Sequence, residues 1–213
     1  PISQQTIYRY IWEDRNNGGK LYKYLRRKSK KIRHKSKLVK VRINNKKSID
    51  LRLKRIVLMM TAGHWEVDTI FGLDQKSFLL TMVDIATMYT IIVKLPNKEA
   101  ATIEAAINSV IASSLLPFLS ITSDNGTEFA NHENISAKNN IDWFFCHPYC
   151  SGERGLNENT NGLIRDFYPK RTDFRLVPDE DIKEVQNILN TRPRERIGFI
   201  RPAHAMVTHL MAA

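Results

Sequence analysis

The chain has 213 residues and a formal net charge of +11, with 42% hydrophobic and 26% charged residues. This composition suits one domain with a buried core and excludes wholesale disorder, and no apolar run reaches the roughly 18 residues of a membrane helix. Two cysteines cannot form a disulfide framework and indicate a reducing cytoplasm. Because the chain starts at Pro1 and has no basic-then-apolar leader, we expect a cytoplasmic fragment of a longer protein.

The first predicted element is a short amphipathic helix. Ser3 is its N-cap, and the sequence Asn-Asn-Gly-Gly at 16–19 ends it. Its apolar face is formed by Ile7, Tyr10 and Ile11. Because exposed polar residues begin this helix, it fits the recognition helix of a helix-turn-helix unit, although any amphipathic helix has the same pattern. We assign residues 1–19 to part of such a unit.

Residues 20–62 form a basic linker or arm. Residues 1–63 hold 19 Lys and Arg against three acidic residues, a balance of +16, whereas residues 64–213 have a balance of −5. Like charges repel, so we expect the arm to be extended until phosphates neutralise it. A solubilising tail and a membrane-surface patch are the alternatives, but a run of one sign without interleaved aromatic residues favours nucleic acid. The predicted DNA-binding residues of the arm are Arg26, Arg27, Lys28, Lys30, Lys31, Arg33, Lys35 and Lys37.

From residue 63 onwards the pattern is that of a packed domain, 63–213. The predicted strands are 64–71, 77–85, 89–95, 119–123 and 141–146. The predicted helices are 98–116, 155–167, one that begins at Asp179 and one that begins at Pro202. Three consecutive strands followed by alternating helices and strands indicate an α/β fold with a mixed five-stranded sheet flanked by helices.

Three acidic residues stand out among these elements. Asp68 lies inside an apolar strand, where an unpaired charge is costly, and Asp124 follows the carboxyl end of the strand 119–123, where open sheets bind ligands. Glu158 lies on the helix 155–167. Each has a simpler explanation when taken alone, such as a turn residue for Asp124 or a solvent-facing strand position for Asp68. Together with their spacing, they favour one shared site.

The spacing and the surrounding motifs resemble those of the IS30 family of bacterial insertion-sequence transposases. Between Asp68 and Asp124 lie 55 residues, and 33 residues lie between Asp124 and Glu158. The matching motifs extend over nearly the whole chain and include Gly63-His64-Trp65-Glu66-x-Asp68, Ser123-Asp124-Asn125-Gly126-x-Glu128-Phe129, Arg154-Gly155-x-Asn157-Glu158-Asn159-Thr160-Asn161-Gly162-Leu163-Ile164-Arg165 and Leu189-Asn190-Thr191-Arg192-Pro193-Arg194. The resemblance implies a ribonuclease-H-like integrase core. In that fold the first Asp lies on the first strand, the second follows the fourth strand, and the Glu lies on a later helix.

The resemblance also implies the chemistry. Asp68, Asp124 and Glu158 would be the catalytic residues and would bind two Mg²⁺ or Mn²⁺ ions, which accept hard carboxylate oxygens. Two such cations activate the attacking oxygen and stabilise the leaving oxygen of a phosphodiester. Water would first free a 3′-hydroxyl at the end of the element, and this hydroxyl would then attack target DNA.

Residues near the three acids are candidates for support or for DNA contact. Glu66 shares the strand face of Asp68, and Asn161 shares the helix face of Glu158. The expected supporting residues are Glu66, Asn125, Glu128 and Asn161. The expected DNA-phosphate contacts beside the site are Arg154 and Arg165. Local hydrogen bonds and ordinary surface charge are the alternatives.

The expected partners are double-stranded DNA, at the element ends and at the target, and further copies of the chain at the bacterial nucleoid. A membrane is not expected as a partner. Zinc is not expected either, because the motif from Cys146 to Cys150 lacks a second pair of ligands. Two alternative functions stay open. One is a plain nuclease of the same fold, and the other is a truncated transposase remnant that binds DNA and regulates without catalysis.

Overall fold

The computed structural model describes residues 3–25, 43–52, 60–148 and 150–212. The chain divides into two compact units, Pro1–Lys40 and Val41–Ala213. In the first unit, α1 spans Gln4–Asn16 and a short 3-10 helix spans Leu21–Tyr24. Ser3 caps α1 as predicted, because its hydroxyl accepts a hydrogen bond from the N–H of Thr6 at 3.2 Å. The predicted DNA-binding residues of the arm lie outside the described residues.

The second unit is built on a six-stranded mixed sheet. Across the sheet the order is β1-β6-β5-β2-β3-β4. The strands are β1 (Lys47–Ser48), β2 (His64–Phe71), β3 (Phe78–Asp84), β4 (Thr90–Leu95), β5 (Ser120–Ser123) and β6 (Asp142–Phe145). Neighbours from β1 through β6 and β5 to β2 are parallel, and β2, β3 and β4 are antiparallel. The predicted mixed sheet is confirmed.

The sixth strand, β1, comes from the segment that we had assigned to the basic arm. Lys47 pairs with Phe144 and Ser48 pairs with Phe145 at the edge of the sheet. A strand of this length carries no alternation of apolar and polar residues, so the sequence pattern could not predict it. The predicted count of five strands therefore becomes six.

Helices cover both faces of the sheet. They are α2 (Ala100–Ser113), α3 (His132–Asn139), α4 (Gly155–Phe167), α5 (Asp179–Thr191) and α6 (Pro202–Ala212). No sequence pattern predicted α3, which is short, mostly polar and buries only His132 and Ile135. Within the described residues, no helix is long and apolar enough to cross a membrane.

The alternation of side chains along β2 determines on which face of the sheet its acidic residues lie. Trp65 and Val67 belong to an apolar cluster with Ile103 and Ile107 of α2. Ile70 lies in a second cluster, which is completed by residues of α4 and α5 such as Ile164 and Leu189. Because successive side chains of a strand point to opposite faces, Glu66 and Asp68 share the face of Ile70 and lie towards α4.

Candidate active site

Asp68 and Asp124 come from two neighbouring parallel strands. Asp68 is half-buried within β2, and Asp124 follows the last residue of β5. Hydrogen bonds orient both carboxylates, and Oδ1 of Asp68 accepts one from the N–H of Thr69 at 2.9 Å. Oδ2 of Asp68 accepts from Nδ2 of Asn161 at 2.9 Å, and Oδ1 of Asp124 accepts from the N–H of Gly126 at 2.8 Å. Oδ1 of Asp68 and Oδ2 of Asp124 face the same side chain, that of Arg154.

The guanidinium of Arg154 lies between the two aspartates. Nη1 is 3.5 Å from Oδ1 of Asp68, and Nη2 is 3.3 Å from Oδ2 of Asp124. Nη1 also donates to the carbonyl of Val67 at 2.7 Å, which anchors the arginine to β2. Only 12% of its side chain is exposed. The predicted contact of Arg154 with DNA stays a prediction, and its contacts here are with the two carboxylates.

The charges of this cluster depend on each other. Burial raises the pKa of Asp68, Arg154 opposes that shift, and the charge of Asp124 adds to it. Burial disfavours the cation of Arg154, but Asp68 and Asp124 together hold its pKa above the ordinary value. A half-buried acid such as Asp68, whose pKa depends on specific charged partners, is typical of a functional site.

Glu158 lies on the exposed side of α4. Two hydrogen bonds connect α4 to β2, one from the residue before Glu158 and one from a residue after it. The N–H of Asn157 donates to Oε2 of Glu66 at 3.0 Å, and Asn161 donates to Asp68. Among the described residues, no three His, Cys, Asp or Glu side chains are grouped closely enough to hold a metal ion. The three-acid site therefore stays a prediction, of which the structure brings Asp68 and Asp124 together.

Two of the expected supporting residues make contacts at the aspartate pair or at α4, and a third residue with such a contact was not predicted from the sequence. Glu66 is fully buried and contacts α4, and Asn161 contacts Asp68 directly. The missed residue is Thr81, which is paired with Asp68 across β2 and β3. Its hydroxyl lies 2.8 Å from Oδ1 of Asn161. A polar residue in an apolar strand was the available signal, but its significance depends on the strand register.

Asn125 and Glu128 hold the loop that carries Asp124. Nδ2 of Asn125 donates to the carbonyl of Cys146, and its Oδ1 accepts from Nζ of Lys46, both at 2.6 Å. Glu128 is buried and pairs with Nζ of Lys98 at 2.7 Å. Its carboxylate occupies the space that a Cβ atom at position 126 would enter. Both residues thus support the loop and not the carboxylates directly.

The structure also shows the surroundings of Arg165 and of the motif from Cys146 to Cys150. Arg165 donates to the carbonyl of Phe71, and burial lowers its pKa. Burial raises the pKa of the Cys146 thiol to about 12, whereas Cys150 is exposed. Nδ1 of His147 lies 2.7 Å from Oε1 of Glu153. A contact between Arg165 and DNA stays a prediction.

The donor set of the aspartate pair fits a divalent cation. Carboxylate oxygens are the ligands that Mg²⁺ and Mn²⁺ prefer. Asp68 and Asp124 already share one cation, the guanidinium of Arg154. Two carboxylates oriented towards the same positive charge are chemically suited to bind a metal ion.

The chain is similar to known proteins over nearly its whole length. Residues 60–151, which include Asp68 and Asp124, match the family described as integrase core domain. Over 203 residues the chain is 43% identical to the transposase for insertion sequence element IS4351 of Bacteroides fragilis. Over 211 residues it is 33% identical to transposase InsI for insertion sequence element IS30A of Escherichia coli K12. Each alignment covers 94% of this chain, but only 62% and 54% of the two relatives.

The fold has a counterpart among solved structures. The catalytic core domain of BIV integrase superposes with a TM-score of 0.54 at 18% identity and covers 70% of this chain and 97% of that domain. This likeness confirms the predicted ribonuclease-H-like fold of a retroviral integrase core. Residues 60–151 thus resemble an integrase core domain, and nearly the whole chain is similar to insertion-sequence transposases, among them those of IS4351 and IS30A.

Proposed function

We propose that this chain is the catalytic part of a DNA transposase, which cuts DNA at the ends of an insertion sequence and joins the freed 3′-hydroxyl to target DNA. The observation that carries the proposal is the pairing of Asp68 and Asp124 around one cation on the sheet of an integrase core. Relatives over nearly the whole of this chain are named transposases, which supports it. Such a substrate places the reaction in the bacterial cytoplasm, at the nucleoid.

Asp68, Asp124 and Glu158 are the residues that would hold two Mg²⁺ or Mn²⁺ ions. Such ions, when bound, activate the attacking oxygen and stabilise the leaving oxygen of a phosphodiester. Arg154 neutralises the same two aspartates, so we expect its guanidinium to compete with divalent cations. Once displaced, this cation is free to contact a DNA phosphate, as the sequence analysis predicts.

The remaining residues of the site orient these carboxylates. Asn161 restricts the rotation of Asp68, and the N–H of Gly126 does the same for Asp124. The contact between Glu66 and the N–H of Asn157 keeps the first turn of α4 on β2 and so positions Glu158. Groups that are oriented before the substrate binds need no rearrangement during the reaction, which lowers its barrier.

The test compares the parent chain with Asp68→Asn, Asp124→Asn and Glu158→Gln, and with Asp142→Asn as a matched control. Asp142 is an exposed aspartate that pairs with Lys47. The substrates are labelled duplexes that carry the terminal sequences of the element, either intact or already cut at the 3′ end. Each site variant should lose cleavage and joining by about 100-fold or more, because several kcal/mol of charge stabilisation is removed. DNA binding and the control should be unaffected.

The outcomes separate the alternative functions. Joined product from the pre-cut duplex identifies a transposase, whereas a plain nuclease cuts without joining. Binding with neither reaction in the parent chain identifies a DNA-binding remnant. Full activity of Asp124→Asn would contradict the site assignment.

A transposase joins two element ends, so we also expect the chain to act as a homo-oligomer on DNA. Sedimentation of the protein with and without duplex ends measures this. A single copy of the chain on a joined pair of ends would contradict the expectation.

A further inference from the structure

A cleft of 310 Å³ lies between the first turns of α4 and the loop that follows α5. Neither the three acids nor their supporting residues line it. From α4 and from the loop, its walls include Gly155, Leu156, Asn159, Arg194, Glu195 and Arg196. Arg194, on the loop side of the cleft, is the last residue of the motif from Leu189 to Arg194. The proposed reaction assigns no role to this motif.

The cleft lies next to the candidate active site along α4. Gly155, Glu158 and Asn161 follow each other at intervals of three residues, so they are neighbours on one side of the helix. Asn161, at one end of this row, contacts Asp68. Gly155, at the other end, lines the cleft and lies about 4.5 Å along the helix axis from Glu158. This row of residues on α4 therefore connects the candidate active site to the cleft.

The charges of the cleft favour an anion. Arg194 and Arg196 contribute two guanidinium groups against the one carboxylate of Glu195. Nη2 of Arg194 donates to the carbonyl of Leu189 at 2.9 Å, which orients the side chain. Its Nε is buried and has no hydrogen-bond partner among the described residues. Burial lowers the pKa of Arg194, and the charge of Arg192 adds to the shift, so an anion in the cleft would stabilise this partly buried cation.

The loop that carries these arginines is closed by its own hydrogen bonds. The N–H of Arg194 donates to the carbonyl of Ile200 at 3.0 Å, and the N–H of Phe199 donates back to the carbonyl of Arg194 at 2.8 Å. Gly198 has a φ of 68°, a conformation that glycine adopts without strain and that lets the loop turn. The backbone that carries the two arginines is therefore fixed before any ligand binds, which lowers the entropic cost of binding.

We propose that this cleft is a subsite for a DNA phosphodiester adjacent to the one that reacts, with Arg194 and Arg196 as its anion-binding groups. The choice of DNA as the ligand rests on the proposed function. A guanidinium group binds phosphate oxygens through charge-assisted hydrogen bonds. Contact with an adjacent phosphate would set the register of the strand relative to Glu158.

Cysteine crosslinking tests the position of the DNA strand. The variants Gly155→Cys and Gly152→Cys are compared in a chain that carries Cys150→Ser, because Cys150 is exposed. A Cβ atom added at either glycine meets no atom within 4 Å, but only Gly155 lines the cleft. The probe is a duplex end with a disulfide-activated tether on the phosphate next to the cut position.

Gly155→Cys should form the crosslink about tenfold faster than Gly152→Cys, because the bound strand raises the effective concentration of the tether. Moving the tether to a phosphate far from the cut position should abolish the difference. Equal rates at the two cysteines, or equal rates for the two tether positions, would overturn the proposal.

A charge-matched pair of variants tests the arginines. Arg196→Gln and Arg175→Gln each remove one positive charge, and Arg175 lies outside the cleft, where it pairs with Asp173 at 2.6 Å. Arg196→Gln should weaken binding of the duplex end several-fold. It should also reduce the slope of log K against the logarithm of the salt concentration by about one, as expected for the loss of one phosphate contact. Arg175→Gln should leave both unchanged. An equal effect of both variants would indicate diffuse electrostatics and overturn the proposal.

Both readouts measure binding without divalent cations and do not depend on cleavage. Equal crosslinking at the two cysteines therefore counts against the cleft alone. Absence of both cleavage and joining in the parent chain counts against the proposed function, and cleavage that survives in Asp124→Asn counts against the catalytic role of Asp124.

Discussion

Asp84 is a fully buried carboxylate at the end of β3 and shows what a structural acid looks like in this fold. Its Oδ2 accepts from the N–H of Gly63 at 2.7 Å, and its Oδ1 accepts from the N–H and the hydroxyl of Thr87 at 2.8 and 2.7 Å. Burial raises its pKa, and these hydrogen bonds oppose the shift. Asp68 differs because it also faces a cation, Arg154, that a second carboxylate shares. An acidic residue in an apolar strand therefore does not by itself indicate function. The groups that its carboxylate contacts distinguish a structural acid such as Asp84 from a candidate catalytic acid such as Asp68.

We expect Asp84→Ala to lower the free energy of unfolding by about 2–4 kcal/mol, because it leaves three donors without an acceptor, of which the Gly63 and Thr87 N–H groups are buried. Urea denaturation followed by circular dichroism measures the loss. Asp142→Ala removes an exposed ion pair with Lys47 and should cost less than about 1 kcal/mol. Equal costs for the two variants would show that the hydrogen bonds of Asp84 do not stabilise the fold.

At the scale of elements, side-chain contacts fasten the segment around β1 to the loops of the candidate site. Lys46 donates to Asn125, which is next to Asp124. Nε2 of His147 lies 2.9 Å from Oδ2 of Asp50, and its Nδ1 lies 2.7 Å from Oε1 of Glu153, which precedes Arg154. The edge strand and the site are thus connected through polar contacts in addition to the backbone pairing of β1 with β6.

The contact of His147 should depend on pH. Hydrogen bonds to Glu153 and Asp50 raise the pKa of His147, so its stabilising effect is fully present below the unfolded-state pKa of about 6.5 and is lost as the pH rises through the higher folded-state value. Amide hydrogen exchange at 47–51, corrected for the intrinsic rate, should therefore accelerate above that value. His147→Gln should remove the transition. A transition that persists in this variant would assign it to another group.

At the scale of the whole molecule, the charge is divided between the two compact units. Residues 1–40 hold 13 Lys and Arg against two acidic residues, whereas residues 41–213 hold 20 of each kind. The whole formal net charge of +11 therefore belongs to the first unit. Electrostatic attraction to DNA phosphates should reside mainly there, and the chemistry in the second unit.

A fragment of residues 41–213 should fold, because both clusters that flank the sheet lie within it. Its binding to a random duplex should depend much less on salt than that of the whole chain, since log K changes by about 0.9 for each neutralised phosphate. Titrations by fluorescence anisotropy at several salt concentrations give both slopes. Equal slopes would place the electrostatic contacts in the second unit.

Local patterns in the sequence were sufficient for the elements that bury apolar residues. The alternation around Asp68 and the helical stripe that includes Ile103 and Ile107 each predicted an element that the structure contains, because burial imposes a period on the sequence. By contrast, α3 and β1 bury few residues and carry no such period, so they were missed.

The sequence by itself determined the order of the main strands and helices, the excess of positive charge in the N-terminal part of the chain and the identity of the three acidic candidates. Only the tertiary structure decided that Arg154 lies between Asp68 and Asp124, that Thr81 contacts Asn161, and that Arg194 lines a cleft beside α4. These contacts join residues that are far apart in the chain. Their geometry follows from strand register and helix packing, which leave no periodic signal in the sequence.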